Sequence, residues 1–196
     1  MADVIDRIRA ATPDDAHALA ELINYAGEGL PLYLWEAMAE PGESPWDVGR
    51  RRARREQGGF SYRNALMAES GGSIAGCLIG YELAREPEPI DFAQTPPMFV
   101  PMLELENLAP GTWYVNVLAT YPDRRGRGIG GRLLDIAESR GREASLAGLS
   151  IIVSDANSGA RRLYERKGYR TKAERPIVKE GWQNAGENWV LLTKDF

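Results

Sequence analysis

The segment from Trp113 to Ala144 constrains the fold more than any other stretch of the chain. Trp113 to Thr120 is aromatic and β-branched with one polar interruption, Asn116, and predicts a strand. Ile129 to Ala144 places Leu133, Leu134, Ile136 and Ala137 on one side at helical spacing, and predicts an amphipathic helix. Between them runs Tyr121-Pro122-Asp123-Arg124-Arg125-Gly126-Arg127-Gly128-Ile129-Gly130-Gly131-Arg132. Glycines at this density let backbone N–H groups crowd together and face outward, and the helix that follows adds its positive end. Arg125, Arg127 and Arg132 add mobile positive charge, so the turn suits a pyrophosphate-like anion. A connector with no ligand is disfavoured, because six arginines (Arg124, Arg125, Arg127, Arg132, Arg140 and Arg142) would repel one another without an anion.

The same turn satisfies the dinucleotide pattern G-x-G-x-x-G over Gly126–Gly131, and Asp155 closes the next apolar stretch. A dinucleotide turn, however, starts almost at the strand end, whereas Tyr121 to Arg125 intervene here. Too little chain follows to build the remaining strands of such a fold, and the pattern alone is weak. A P-loop fails because no Gly-Lys-Ser/Thr follows.

The rest of the chain alternates strands and helices. Arg7 to Ala11 predicts a short strand. Thr12-Pro13-Asp14-Asp15 then opens a helix with a cap, a proline at its first position and a capping box. Ala16, Leu19, Ala20, Leu22 and Ile23 form its apolar face, and Gly27 stops it. Leu30 to Ala39 is a second helix, and Ser44-Pro45-Trp46-Asp47 caps a third that carries Arg50, Arg51, Arg52, Arg54 and Arg55. Those arginines read as a solvated face beside Asp47 and Glu56 rather than a phosphate site. Ala65–Glu69 and Ser73–Ala84 form a hairpin. Residues 85–110 hold six prolines and little periodicity, and predict a long insertion loop. Leu149–Val153 is a buried strand, Ser158–Lys167 a helix ended by Gly168, and Tyr169–Ala173 and Asn188–Thr193 are the last strands. The order is α/β: one domain over 1–196, with a mixed central sheet of about seven strands flanked by helices.

Composition narrows the function. Hydrophobic residues make up 43% and charged residues 27%, as in an ordinary globular chain. The net charge of −4 argues against broad nucleic-acid or anionic-membrane binding. One cysteine, Cys77, and one histidine, His17, leave no material for a disulfide framework, a Cys/His metal site or a Ser-His-Asp arrangement. No stretch reads as a signal peptide or a transmembrane helix, so a cytoplasmic protein is expected, without metal and acting alone or as a homodimer.

Arg125-Gly126-Arg127-Gly128-Ile129-Gly130 matches the Arg/Gln-x-x-Gly-x-Gly/Ala signature of the GNAT superfamily of N-acetyltransferases. Asp155-Ala156-Asn157, a helix, and Leu163-Tyr164-Glu165-Arg166-Lys167-Gly168-Tyr169 resemble the family's second block, and the likeness spans residues 113–170. The resemblance implies acetyl-CoA as acyl donor. It assigns the pantetheine arm to the backbone of Leu118, Ala119 and Thr120, and the pyrophosphate to the amides of Arg125, Gly126, Arg127, Gly128, Ile129, Gly130 and Gly131. Asn157 would bond the pantetheine, Ala160 would leave room for it, and Tyr164 would sit by the sulfur. Positions 157, 160 and 164 do share one helical face.

Direct attack by an amine needs three further services. The resemblance gives the oxyanion to the backbone N–H near Leu118. Tyr164 can donate a proton to the departing thiolate. For the base, Asn116 stands where some relatives carry Glu, and an amide cannot take the proton. Glu106, Glu104 and Glu82 are the remaining candidates, Glu104 and Glu106 being expected to share a strand face where convergence would raise one pKa. Between Arg85 and Pro110 a single arginine faces five carboxylates, which favours a cationic small-molecule or peptide amine as acceptor over an acidic one. Two other classes compete: a non-catalytic acyl-CoA-binding regulatory module, and a nucleic-acid binder using the arginine runs, which the charge and the lack of interleaved aromatics disfavour.

Overall fold

A computed structural model describes residues 5–196. Seven strands form one mixed, open sheet in the order β1-β2-β3-β4-β5-β7-β6: β1 Arg7–Ala10, β2 Ala65–Ser70, β3 Ser73–Glu82, β4 Thr112–Thr120, β5 Gly148–Ser154, β6 Arg170–Pro176 and β7 Asn188–Asp195. Six α-helices accompany it: α1 Ala16–Ala26, α2 Leu30–Met38, α3 Pro45–Ala53, α4 Val100–Glu106, α5 Ile129–Glu143 and α6 Ser158–Arg166. The chain divides into two compact units. One runs to Gly80 and takes in Asn116–Leu133; the other comprises Tyr81–Val115 and Leu134–Phe196.

In the first unit the capping chemistry is visible atom by atom. The Asp15 carboxylate accepts from Thr12 N at 2.7 Å and from the Arg9 guanidinium at 2.8 Å, and Arg9 also donates to Glu69 at 2.6 Å. Asp15 thus ties the entry of α1 to β1 and β2, and the Arg9 hydrogen bonds hold its carboxyl below the ordinary range. α1 buries Leu19, Leu22 and Ile23 against Met67, Cys77 and Ile79 of the hairpin and Val117 and Ala119 of β4. The Ser44 hydroxyl accepts from Asp47 N at 3.3 Å and opens α3. Gly49 lies against the Trp35 ring of α2, where an added Cβ would come within 2.5 Å of the ring carbons, so the helices meet only because this residue has no side chain. Of the arginine run, Arg50 pairs with Asp47 at 2.6 Å and Arg51 with Glu43 at 3.3 Å, as a solvated helix face does.

In the second unit β4 pairs with β5 in parallel from Thr112 opposite Gly148 to Val115 opposite Ile151. β7 lies antiparallel to both β5 and β6. The buried Thr112 and Ser150 hydroxyls hydrogen-bond at 2.7 Å. α5 ends with Arg140 over the Trp113 ring and Arg142 over Phe196 while also donating to Glu138 at 2.8 Å. Arg140 and Arg142 are therefore occupied at the C-terminal end of the helix, and the count of six arginines around the turn contracts to four.

The segment 85–110 differs from the expected loop. Residues 100–106 form α4, with Pro101 in its first turn and Pro101 and Leu105 buried. Residues two apart on a helix point nearly opposite ways. Glu104 and Glu106 accordingly share no face: Glu104 accepts from Arg175 of β6 at 2.8 Å, and Glu106 turns elsewhere. Among the described residues no helix is long and apolar enough to cross a membrane.

Candidate functional site

β4 delivers the glycine turn. After Thr120 the chain makes a short 3-10 turn over Pro122–Arg124 and enters α5 at Ile129. Gly126 and Gly128 hold φ of 75° and 83°, in the left-handed region that side chains strain to adopt, with no neighbouring atom within 4 Å of an added Cβ. Space at their Cα atoms together with this conformation leaves backbone open to an approaching group. Ile129, buried beneath, anchors the first turn of α5, and Gly130 and Gly131 follow it without side chains. Arg127 donates to the Asp123 carbonyl at 2.9 Å, while Arg125 and Arg132 are exposed. Uncrowded glycines ahead of a fifteen-residue helix, with arginines around them, fit a diphosphate. The neighbouring Leu118 and Thr120 are half-buried and Ala119 is buried. Asn116 donates to the Gly59 carbonyl at 3.4 Å, which gives this amide a structural role.

α6 carries the second block. Asn157 caps it, its side-chain oxygen accepting from Ala160 N at 3.2 Å. Tyr164, one turn beyond Ala160, is buried and packs at 5.9 Å against the tilted ring of Tyr169. Asp155 accepts from the amides of Glu187 and Asn188 at 3.0 Å each and so fastens the start of β7, a structural duty far from the ribose contact of a dinucleotide fold.

The candidate bases separate cleanly. Glu82 is exposed at the end of β3, and Glu104 is held by Arg175. Glu106 ends α4 on the wall of a cavity of about 320 Å³, lined also by Leu83, Glu88, Leu103 and Asn107. Burial raises its carboxyl from 4.5 to about 7, opposed by the Tyr114 hydroxyl and reinforced by the negative charge of Glu88. Tyr114 points from the buried face of β4, and Tyr81 of β3 meets its ring edge-on at 5.7 Å. The acidic residues lining the cavity are Glu86, Glu88, Asp91 and Glu106, and no lysine or arginine joins them. A carboxyl titrating near neutrality in a concave, cation-friendly wall is equipped to take a proton from an ammonium group. Tyr81 and Tyr114 were not singled out from sequence, whereas Glu88 counts among the five carboxylates of the acidic segment; the available signal was the pair of tyrosines on consecutive strands. His17, 70% exposed on α1, lies 3.5 Å from Glu21 and belongs to none of these groups. Among the described residues no group of three or more His, Cys, Asp or Glu stands together as a metal site.

These features agree with comparisons to known proteins. A solved acetyltransferase superposes with a TM-score of 0.65 at 22% identity, covering 97% of this chain and 99% of that one. An N-acetyltransferase from Staphylococcus aureus Mu50 gives 0.63 at 20% identity, over 95% and 99% of the two chains. A GNAT family acetyltransferase from Elizabethkingia anophelis, solved with acetyl-CoA bound, gives 0.50 at 20% identity over 67% and 75%. No match to the chain is found among curated proteins. The model of the acetyltransferase (GNAT) family matches residues 31–169, which contain both signature blocks, the glycine turn and Glu106, and the chain belongs to that family.

Proposed function

We propose that the protein is an acetyl-CoA-dependent N-acetyltransferase whose acceptor is a cationic amine, the 196 residues acting as one acetyltransferase domain in the cytoplasm. The observation that carries the choice of acceptor is Glu106, a carboxyl poised near neutrality on the wall of an acidic cavity. An ammonium ion is attracted there and must lose a proton before its nitrogen can attack.

Acetyl-CoA supplies a thioester carbonyl as electrophile and a thiolate as leaving group. The amides of Arg125–Gly131 are assigned to its pyrophosphate, and the backbone of Leu118, Ala119 and Thr120 together with Asn157 to its pantetheine arm, Ala160 leaving the space. Glu106 takes one proton from the ammonium. The freed nitrogen forms its bond to the carbonyl carbon as the carbon–sulfur bond breaks, the amide N–H near Leu118 donating to the carbonyl oxygen. Tyr164 gives its proton to the departing sulfur, and the second nitrogen proton returns to solvent. Family membership and the open, positively charged turn support the donor side of this assignment.

The deciding experiment is acetyl-CoA-dependent thiol release across a panel of primary amines, with Tyr164→Phe alongside. Release with cationic amines, slowed on the order of a hundredfold in Tyr164→Phe at unchanged acetyl-CoA affinity, is the expected result. Tight acetyl-CoA binding with no release for any amine would leave a regulatory acyl-CoA-binding module as the better description.

A further inference from the structure

In the first unit, one face of α1 is fastened to the residue that leads into the glycine turn. His17, Glu21 and Tyr25 are spaced by four along α1 and so share that face. Tyr121, between β4 and the turn, brings its side chain to them. Its hydroxyl donates to Glu21 Oε2 at 2.5 Å, and the Tyr25 ring meets its ring edge-on at 6.1 Å. Glu21 Oε1 lies 3.5 Å from His17 Nε2. The Tyr121 backbone is tied down as well: its N–H donates to the Ala75 carbonyl of β3 at 3.0 Å, and its carbonyl accepts from Arg124 N at 2.9 Å. At Gly76 an added Cβ would come within 2.5 Å of the Ala119 carbonyl, so β3 closes on the end of β4 just before the turn. Burial and the Glu21 carboxylate both raise the proton affinity of the Tyr121 hydroxyl, which therefore remains the donor.

We infer that Glu21 and Tyr121 are positioning residues for the acyl donor: the hydrogen bond between them fixes the start of the glycine turn, so that residues 125–131 are held ready for an anion before it arrives. The inference rests on the turn being the donor site. Gly126 and Gly128 hold left-handed φ, and glycine has more backbone freedom to lose than any other residue, so a turn of this composition needs a fixed base. Where only a fraction of molecules hold the turn in its receptive form, apparent affinity falls in proportion to that fraction. Glu21, a hundred residues away in the chain, acts here through Tyr121 and not on the donor itself. Neither group reacts, so the link governs donor binding and leaves the chemical step alone.

The test measures acetyl-CoA affinity by isothermal titration on the full-length protein, with a thermal melt of each variant. Tyr121→Phe removes the hydroxyl and keeps the ring, and Glu21→Ala removes the acceptor. Each weakens acetyl-CoA on the order of tenfold, and the double variant is no weaker than either, because the same hydrogen bond is lost in all three. Glu21→Gln still offers an oxygen to the hydroxyl and binds near the wild-type level. In turnover, KM for acetyl-CoA follows the same pattern while kcat at saturating donor holds. A link that only supports the fold lowers the melting temperature and leaves the affinity of the folded protein alone, and that result overturns the inference. So does a double variant whose losses multiply. Gly128→Val separates this failure from failure of the donor assignment. If it abolishes binding while Tyr121→Phe does not, the turn holds the donor without help from α1; if it too binds normally, both readings fall. Glu21 is half-buried, so Glu21→Ala against Glu21→Gln decides alone if Tyr121→Phe does not fold, equal affinities in the two overturning the inference.

Discussion

The glycine turn after β4 and the cavity over α4 are built from opposite materials. The turn is backbone: two glycines in the left-handed region, nothing crowding their Cα atoms, and arginines mostly in solvent. The cavity is side chain: proline and leucine walls, carboxylates without a lysine or arginine, and a glutamate desolvated enough to titrate near neutrality. One favours anions, the other cations. A backbone site needs a particular spacing of glycines in the chain, so it leaves a pattern. A side-chain cavity needs only that distant residues meet, and it leaves almost none.

The largest effect that would break this contrast is expected at the cavity. Glu106→Gln removes the proposed base with little change of shape, and kcat/KM falls on the order of 10²–10⁴-fold with acetyl-CoA affinity preserved. Stability moves the other way. The native carboxyl, raised from 4.5 to about 7, still holds its proton over a pH range in which the unfolded chain has lost it. Wild-type stability therefore drains away as pH rises through that window and does not return above it. Glu106→Gln abolishes the loss, so its melting temperature exceeds wild type at pH 8 and matches it at pH 4. A variant that keeps full activity, or whose thermal gain is the same at both values, contradicts the assignment of a buried, neutral-titrating base.

The turn should fail differently. Gly128→Val puts a β-branched side chain at φ 83°, at a conformational cost of about 2 kcal/mol, and projects it into the space left open for the donor. Thermal stabilisation by acetyl-CoA, roughly 2.7 kcal/mol at a hundred times the dissociation constant in wild type, is then lost. Neither the midpoint of Glu106 nor the cavity should change. If the variant binds acetyl-CoA normally, the anion sits elsewhere.

How far the chain revealed its fold follows the same division. Both capping boxes, Thr12–Asp15 and Ser44–Asp47, announced their helices because local hydrogen bonds define them. The strand–turn–helix from Thr112 to Glu143 was legible for the same reason, within one residue at either end. Residues 100–106 were not. A seven-residue helix with a proline in its first turn shows no repeat, and its stability comes from burying Pro101 and Leu105 and from packing beside β6. Taking that stretch as extended put Glu104 and Glu106 on one face, and the helix separates them. Glu106 stands foremost of the three candidate bases and Glu88 belongs to the acidic segment legible in the chain, but the edge-on pair of Tyr81 and Tyr114 emerges only from tertiary placement. The alternation in β4 places Tyr114 on a buried face; it does not name what the hydroxyl meets.

The smallest expected effect sharpens the contrast at the level of single charges. Arg125 is exposed, and an exposed cation acts through solvent on whatever anion the turn holds. Arg125→Gln should weaken acetyl-CoA binding only a few-fold, by about 0.5–1 kcal/mol at low ionic strength. Raising the salt shortens the screening distance from roughly 10 Å at 0.1 M to about 3 Å at 1 M, so the difference from wild type should vanish there. Backbone amides that contact the anion directly are far less exposed to screening, and the affinity they supply should persist in both proteins. Isothermal titration at two salt concentrations separates the two contributions. A loss that is large and unaffected by salt would mean that Arg125 grips the anion as a desolvated partner, and the turn would then depend on a side chain as much as the cavity does.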